Sequence, residues 1–237
     1  MPDDLPQTGK NVKPSKESKS KPARKSLTEA LIIEGAVKLA DEIGVDALTI
    51  RKLATALTVK PMTIYHYVPN KESIIDGMVD MVFSEIDLPP PADADWKSAI
   101  RKRSASARTV LGKHPWAVPL MESRRAPGPA TLQHHDAVLG CLRSGGLSVK
   151  MTAHAYALID AFIYGFAIQE ASLPATTGEE MSDMVDVIIE TLPADKYPHL
   201  MELTTEHILQ PGYDFGNEFE FGLDLILEGL DRSHKRR

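Results

Sequence analysis

A basic stretch without any acidic residue lies in the first third of an otherwise acidic chain. The 237-residue sequence has a formal net charge of −6. Residues 47–71 nevertheless contain Arg51, Lys52, Lys60 and Lys71 and neither Asp nor Glu. Positive side chains without competing carboxylates attract the phosphate backbone of a nucleic acid, because each contact releases condensed counterions. This stretch is therefore the candidate surface for binding double-stranded DNA.

The residues before this stretch predict a helix that would support it. Apolar side chains recur at spacings of four, three and four, and they are Ile32, Ala36, Leu39 and Ile43. A capping box between Ser26 and Glu29 would begin this helix. Gly44 would end it, because glycine adopts the left-handed conformation without strain.

Two short helices and the start of a longer one are predicted in the basic stretch and just after it. Thr49 is a good N-cap for a helix over residues 50–57. Pro61 fits the first position of a third helix, since its missing N–H would have no partner there. Asn70 and the proline before it would close the third helix, and Asn70 would cap a fourth over residues 71–86. This is the order of elements in a helix-turn-helix unit.

With these motifs, residues 48–79 resemble the DNA-binding domain of the TetR family of bacterial one-component regulators, and the likeness continues from about residue 28 to 86. The matching positions are Leu48, Thr49, Arg51, Lys52, Leu53, Ala54, Leu57, Val59, Thr63, Ile64, Tyr65, Val68, Asn70 and Lys71. One departure lies in the turn, where many members have glycine and this chain has Thr58. A residue other than glycine restricts the turn geometry there.

Base recognition is expected from the first residues of the third helix, which a helix-turn-helix unit places against base edges in the major groove. These candidates are Lys60, Pro61, Met62, Thr63 and Tyr65. The resemblance implies phosphate contacts from Thr49, Tyr65, Tyr67 and Lys71, and a contact to a base or the backbone from Arg51. One of the two tyrosines is expected to lie partly in the core, because alternate residues on a short helix cannot all face DNA.

The rest of the chain is predicted to be helical, giving an all-α fold with three regions. Residues 1–26 form a disordered basic tail or a basic arm that lies along DNA, residues 27–87 the helix-turn-helix domain, and residues 92–237 a helical bundle for effector binding and dimerisation. Helices in the last region are predicted over residues 95–112, 114–123, 130–144, 148–173, 179–191, 194–201 and 215–233.

A weaker likeness to the tetracycline-repressor-type ligand-binding domain covers residues 95–173, on the motifs at 114–116, 142–147 and 165–170. It implies a homodimer in which the helix over residues 148–173 and the last helix pair with their copies. A palindromic operator would follow, since such dimers bind paired half-sites. The last helix has an apolar face that a monomer would leave uncovered, formed by Phe219, Leu223, Ile226 and Leu230.

A mainly apolar effector pocket is expected inside the second region, for a small hydrophobic molecule bound without metal. Its candidate lining residues are Ser104, Arg108, Trp116, Met121, His135, Leu139 and Tyr156. Asp160, inside an apolar helix, needs a partner such as His154, Tyr156 or a residue across the dimer interface. A metal is not expected, because the adjacent His134 and His135 point to different faces of a helix.

Composition limits the remaining possibilities. The single cysteine, Cys141, excludes an internal disulfide and suits a reducing cytoplasm, where we expect the protein to work. The longest apolar stretch, residues 153–168, is too short to span a membrane. No nucleophile elbow, phosphate-binding glycine loop or zinc spacing is present, so neither an enzyme nor a cofactor is predicted. The alternative is a helical bundle that binds a small molecule or acts as an enzyme without binding DNA.

Overall fold

The computed structural model describes residues 26–89, 95–182, 184–185, 187 and 195–235. Over these residues the chain is all-α, and its only β feature is an isolated bridge between Thr177 and Asp214. The helices are α1 (Glu29–Ile43), α2 (Ile50–Ala56), α3 (Pro61–Ile64), α4 (Lys71–Glu85), α5 (Trp96–Lys113), α6 (Val118–Met121), α7 (Pro129–Ser144), α8 (Val149–Ser172), α9 (Gly178–Ser182), α10 (Pro198–Leu203) and α11 (Asn217–Lys235).

Helix α1 begins two residues later than the capping box predicted. The side chain of Thr28, rather than that of Ser26, accepts a hydrogen bond from the backbone N–H of Leu31 at 3.2 Å. A threonine hydroxyl caps a helix by the same geometry as serine, so the helix begins at the closer of the two. Gly44 ends α1 as predicted, with a φ of 77°.

The turn between α2 and α3 adopts the backbone conformation that glycine would favour, although Thr58 occupies it. Thr58 has a φ of 56° and is the one non-glycine residue with positive φ in the described part of the chain. Helix α3 is a single turn that ends at Ile64, several residues earlier than predicted. Beyond α3, the N–H of Tyr67 donates to the carbonyl of Ile64 at 2.9 Å. The chain therefore continues in a tighter turn with a hydrogen bond three residues back, and not as an α-helix.

Helix α4 connects the first three helices to the rest of the protein. Asn70 caps it as predicted, by accepting from the N–H of Ser73 at 2.9 Å. The helix packs against α1 on one side and α7 on the other. Its side chains are buried on both of these faces, and they include Ile74, Ile75, Met78, Val79, Val82 and Phe83. A movement of α4 therefore affects both halves of the molecule.

Helix α8 is the central helix of the second half. By length and composition it could cross a membrane, as many buried core helices could. It packs against α5, α7 and α11, and the residues that it buries there include Met151, Ala155, Ile159, Ile163 and Phe166. The opposite face is exposed and apolar, with Leu158 and Ile168 at the surface.

The apolar face predicted for dimer contacts on the last helix is core instead. Phe219 and Leu223 have 0% exposed surface within one chain, because α11 packs this face onto α8. The surface of α11 carries Phe221, which is 65% exposed, and Leu225, which is 56% exposed. The spacing of four, three and four residues on this helix correctly predicted a buried face. The face is covered within one protomer, however, and not by a second copy.

The segment between α8 and α11 differs most from the predicted elements. The helix predicted over residues 179–191 is described only for Gly178–Ser182 and a few residues beyond it. The helix predicted over residues 194–201 is found at Pro198–Leu203, followed by a π-helical turn at Thr204–Ile208. The predicted basic tail, apart from Ser26, lies outside the described residues.

Candidate DNA interface and effector site

The tip of the protein formed by α3 is rich in exposed side chains. Lys60, Pro61 and Met62 are exposed at its N-terminal end, and Thr63 is half-buried. Tyr65 and Tyr67 are 42% and 43% exposed, so the expectation that one of them lies partly in the core is wrong. The core positions just before and just after these tyrosines are occupied by Ile64 and Val68.

The basic residues of this region surround the same tip. Arg51 is exposed on α2, and Lys71 is half-buried at the first position of α4. Thr49 caps α2 by accepting from the N–H of Lys52 at 3.2 Å, which fixes the start of that helix. The N-termini of α2 and α3 and several cations thus lie in one segment without acidic residues, over residues 47–71, which is an arrangement suited to phosphate oxygens.

Helix α4 is tied to the second half by polar contacts near its start and its middle. Arg124 Nη1 donates to Glu72 at 3.1 Å and lies 3.4 Å from Asp76. Farther along, Asp80 Oδ1 accepts from both the backbone N–H and the hydroxyl of Thr131, at 2.8 and 2.9 Å. Asp80 therefore caps the N-terminus of α7, which has no cap from its own segment.

A third connection joins the second half to α1. Nδ1 of His114 lies 2.7 Å from Asp41 Oδ1, and its Nε2 lies 3.3 Å from Glu85 Oε2. Trp116 Nε1 donates to the same Asp41 oxygen at 2.6 Å. Trp116, a predicted pocket residue, therefore lies at the contact with α1 and packs beside His114.

A buried polar cluster occupies the interior between α5, α7 and α8. Arg103 is 1% exposed, and its Nη1 donates to Asp160 Oδ1 at 2.7 Å. Its Nε and Nη2 lie 3.0 and 2.7 Å from His134 Nε2. Asp160 therefore pairs with Arg103, which was not among its expected partners. Of those expected partners, Tyr156 interacts with Asp160, and burial together with this interaction raises the pKa of the tyrosine, whereas His154 is exposed on another face of α8.

The sequence does not distinguish Arg103 from its neighbours. Asp160 interrupts an apolar helix, whereas α5 carries several other basic side chains near Arg103. The signal that could have identified it is its place on the buried face of α5, in line with Ile100 and Ala107.

His134 is neutral in this cluster. Burial lowers its pKa to about 3, and the positive charge of Arg103 acts in the same direction. Since Nε2 accepts from Arg103, the ring proton belongs on Nδ1, which has no hydrogen-bond partner among the described residues. Oδ2 of Asp160 and Oγ1 of Thr152 are likewise buried without a partner in that part of the chain.

The structure brings together three of the seven candidate pocket residues. Met121 and His135 line a cleft of about 140 Å³ between α4, the segment after α6 and the start of α7. The hydroxyl of Tyr156 shares a hydrogen bond with Nδ1 of His135, and burial raises the pKa of this tyrosine. Glu122 and Arg124 line the same cleft.

The other four candidates lie elsewhere. Ser104 is buried and donates to the carbonyl of Ile100 in its own helix at 2.8 Å. Arg108 pairs with Glu170 at 2.5 Å, and its guanidinium lies over two phenylalanine rings, those of Phe166 and Phe219. Leu139 is partly exposed on α7, and Trp116 faces α1. Ser104 and Arg108 lie on α5, Trp116 just before α6 and Leu139 on α7, and the side chains have different neighbours.

Two family models match the chain. The model described as bacterial regulatory proteins, tetR family, matches residues 32–78, which contain the helix-turn-helix unit. The model described as tetracyclin repressor-like, C-terminal domain, matches residues 88–233, more than half of the chain. The chain belongs to the TetR family. It is a DNA-binding transcriptional regulator with a ligand-binding second domain, and members of this family form dimers.

Individual relatives agree with this assignment. The transcriptional repressor DrrR1 of Streptomyces coeruleorubidus is 30% identical over 220 residues, covering 90% of this chain and 80% of the relative. The class C tetracycline repressor of Escherichia coli is 25% identical over 208 residues, covering 87% of this chain and 91% of the relative. The crystal structure of ActR from Streptomyces coelicolor in complex with actinorhodin superposes with a TM-score of 0.71 at 27% identity, covering 88% and 99% of the two chains.

Proposed function

We propose that this TetR-family protein is a homodimeric cytoplasmic repressor that binds a palindromic operator and leaves it when a small organic effector binds the second domain. The proposed boundaries are those predicted above, with a basic tail to residue 26 and domains over residues 27–87 and 92–237. The observation that carries the DNA-binding part is the exposed, acid-free tip around α3. The relatives named as repressors support the direction of regulation.

On DNA, the residues at the tip divide into two groups by their chemistry. Lys60, Pro61, Met62 and Thr63 begin α3 and would reach base edges, since the N-terminal end of this helix enters the major groove. The second group would hold phosphates and consists of Thr49, Tyr65, Tyr67 and Lys71, with Arg51 reaching either the backbone or a base. The first group would determine which DNA sequence is recognised, and the second group would fix the position of the domain on the DNA.

The dimer would form through the exposed apolar faces of α8 and α11. Leu158 and Ile168 of α8 and Phe221 and Leu225 of α11 are large apolar side chains at the surface of one protomer. Gly165 between them has open space where a Cβ would lie, so a second helix can approach closely there. Clusters of large apolar side chains at a protein surface often mark a contact with another protein.

Effector binding would act on DNA through α4, because this helix contacts the second domain through Arg124, Thr131 and His114 and contacts α1 on its other face. A shift of α4 would change the separation of the two α3 helices in the dimer. Half-sites on one face of DNA require a separation of roughly 34–36 Å. The ligand named with the ActR structure supports a small organic effector for this chain also.

Fluorescence anisotropy with DNA from upstream of the protein's own gene tests the DNA-binding proposal. The double variant Lys60→Ala/Met62→Ala should bind at least tenfold more weakly, since each good base contact contributes about 1–3 kcal/mol of discrimination. Lys102→Ala is the matched control, because Lys102 is an exposed lysine on α5, away from the tip. Equal affinity for all three proteins would contradict the proposed interface.

A further inference from the structure

Helix α1 carries a second row of apolar positions, apart from the side chains that it buries in the core. The row follows every fourth residue along the helix surface and consists of Leu27, just before α1, Leu31, Gly35, Leu39 and Ile43. Residues at this spacing form one continuous ridge, inclined to the helix axis. Ile43 is 38% exposed, and the other four are half-buried. Apolar side chains grouped at a surface often mark a binding site.

Helix α2 lies beside this row and forms a groove with it, the α1–α2 groove. Leu57, just after α2, packs over Gly35, where a Cβ would lie 2.7 Å from Cδ2 of Leu57. The half of the groove near the start of α1 has a volume of about 390 Å³, and the half near its end about 440 Å³. The two halves join, because Leu39 and Ala56 line both of them.

The two ends of the α1–α2 groove differ in charge. Arg51 and Lys52 line the end near the C-terminus of α1, where both are exposed. Neither forms an ion pair with any residue that the structure describes. The other end is lined by Glu34 and Glu42, and Glu34 is paired with Lys38 at 2.6 Å. A negatively charged group is therefore attracted to the first end and repelled from the second.

The length of the α1–α2 groove restricts the shape of its ligand. Between Leu31 and Ile43 the helix rises by about 18 Å, at 1.5 Å per residue. An unbranched alkyl chain can cover this apolar length, whereas a compact ring system covers only part of it. The groove thus matches a long apolar chain with one anionic end.

We propose that the α1–α2 groove binds a free long-chain fatty acid, with the alkyl chain along the apolar row and the carboxylate on Arg51 and Lys52. Each methylene group removed from water contributes to the affinity. The carboxylate accepts charge-assisted hydrogen bonds from the guanidinium and the ammonium groups. This site lies in the DNA-binding half of the molecule and shares no residue with the cleft at His135.

The fatty acid competes directly with DNA, and this part of the inference rests on the proposed function. Arg51 is proposed to contact DNA, so a carboxylate on Arg51 occupies a cation that the DNA needs. No movement of α4 is required. The apparent Kd for DNA therefore rises linearly with the concentration of free fatty acid. An effector in the second domain gives a plateau instead, because the coupling free energy between two separate sites is finite.

Three probes with the same alkyl chain and different head groups test the chemistry. They are dodecanoate, the uncharged 1-dodecanol and the cationic dodecyltrimethylammonium. Titration calorimetry near pH 7 measures their binding to the full-length protein without DNA, at concentrations where each probe is monomeric. Dodecanoate should bind at least about tenfold more tightly than either of the others, because only its head group pairs with the two cations. Equal affinities would overturn the assignment of the ligand class.

Two variants and a control test the location. Ile43→Asn/Ala56→Asn changes two exposed positions of the groove wall and keeps both cations, and dodecanoate should bind at least about tenfold more weakly. Arg51→Gln/Lys52→Gln should bind dodecanoate no more tightly than dodecanol, with the affinity for dodecanol unchanged. The matched control is Leu132→Asn, which changes an exposed leucine on α7 and should keep the wild-type affinity.

Anisotropy with the upstream DNA and increasing dodecanoate tests the competition. A plateau in the apparent Kd, or unchanged dodecanoate affinity in the folded groove variant, would place the fatty acid in the second domain and overturn the proposal. If the groove variant does not fold, the head-group preference of Arg51→Gln/Lys52→Gln still decides the location.

Two further outcomes separate this proposal from its alternatives. Binding of the wild-type protein to phosphatidylglycerol vesicles, but not to monomeric dodecanoate, would assign the groove to a membrane surface and overturn the proposal. A wild-type protein that binds dodecanoate with the expected head-group preference but binds no DNA would contradict the proposed function and support the fatty-acid site.

Discussion

Nδ1 of His114 lies 2.7 Å from Oδ1 of Asp41, which joins the effector domain directly to the first helix of the DNA-binding domain. The other ring nitrogen lies 3.3 Å from a carboxylate oxygen of Glu85, at the end of α4. Both partners are carboxylate oxygens, which accept hydrogen bonds. One side chain thereby links the effector domain to both α1 and α4.

His114→Gln should weaken the communication between the domains. Glutamine has a single donor nitrogen, so it cannot replace two ring nitrogens that face Asp41 and Glu85. We expect the unfolding free energy to fall by about 1.5–3 kcal/mol, the usual range for a hydrogen bond to a charged group. The ratio of DNA affinities without and with effector should also fall. Chemical denaturation and anisotropy measure these two effects, and a variant that is less stable but fully responsive would show that the contact is structural only.

Lys71→Ala should weaken binding to all DNA sequences alike. Lys71 begins α4 beside the tip, where it would contact a phosphate rather than a base. Loss of one phosphate contact lowers the slope of log affinity against log salt concentration by about one. Anisotropy at several salt concentrations measures the slope. An effect confined to the operator sequence would instead assign Lys71 to base recognition.

Substitutions on the two faces of α11 should have different consequences. Leu225→Asp places a charge on the exposed face, so we expect folded monomers. Phe219→Asp places the charge in the core of one chain, where Phe219 is 0% exposed, so we expect unfolding. Removal of a buried phenylalanine side chain alone costs about 3–5 kcal/mol. Light scattering with circular dichroism distinguishes the two, and a dimeric, folded Leu225→Asp protein would place the interface elsewhere.

The helix-turn-helix unit could be predicted in detail because its signals are local. The caps at Thr49 and Asn70, the proline at the start of α3 and the stop at Gly44 each depend on residues a few positions apart. The local signals failed at the start of α1, where Ser26 and Thr28 are both suitable caps, and at the end of α3, which comes earlier than predicted. Thr58 has a positive φ, so the turn keeps the backbone conformation that glycine favours although threonine rarely adopts it.

The effector domain was less predictable because its contacts are distant in sequence. Arg103 and Asp160 are paired at 2.7 Å across 57 residues, and neither residue's neighbours indicate the other. Thr152, Tyr156, Asp160 and Tyr164 recur at four-residue spacing on α8, but of these only Asp160 is unusual in an apolar helix. For α11 the periodicity identified a buried face, but periodicity does not say whether the same chain or a second copy covers it.

The protonation of His134 should make the protein less stable in acid. An unfolded histidine takes up a proton near its ordinary pKa of 6.5, whereas burial lowers the pKa of folded His134 to about 3. Between these values the unfolded chain binds the extra proton, so the free energy of unfolding falls as pH falls from about 6.5 towards 3. For one proton the slope reaches at most about 1.4 kcal/mol per pH unit.

Urea denaturation at pH 7, 6 and 5 measures the contribution of His134, as the difference between the wild-type protein and His134→Gln. Glutamine keeps an acceptor for Arg103 but has no proton to gain in this range, so the variant should lose less stability on acidification. His154→Gln is the matched control, because His154 is an exposed histidine on α8 and its replacement should leave the pH dependence close to that of the wild-type protein. If His134→Gln and the wild-type protein lose stability in parallel, then His134 is not the buried neutral histidine that the contact with Arg103 requires.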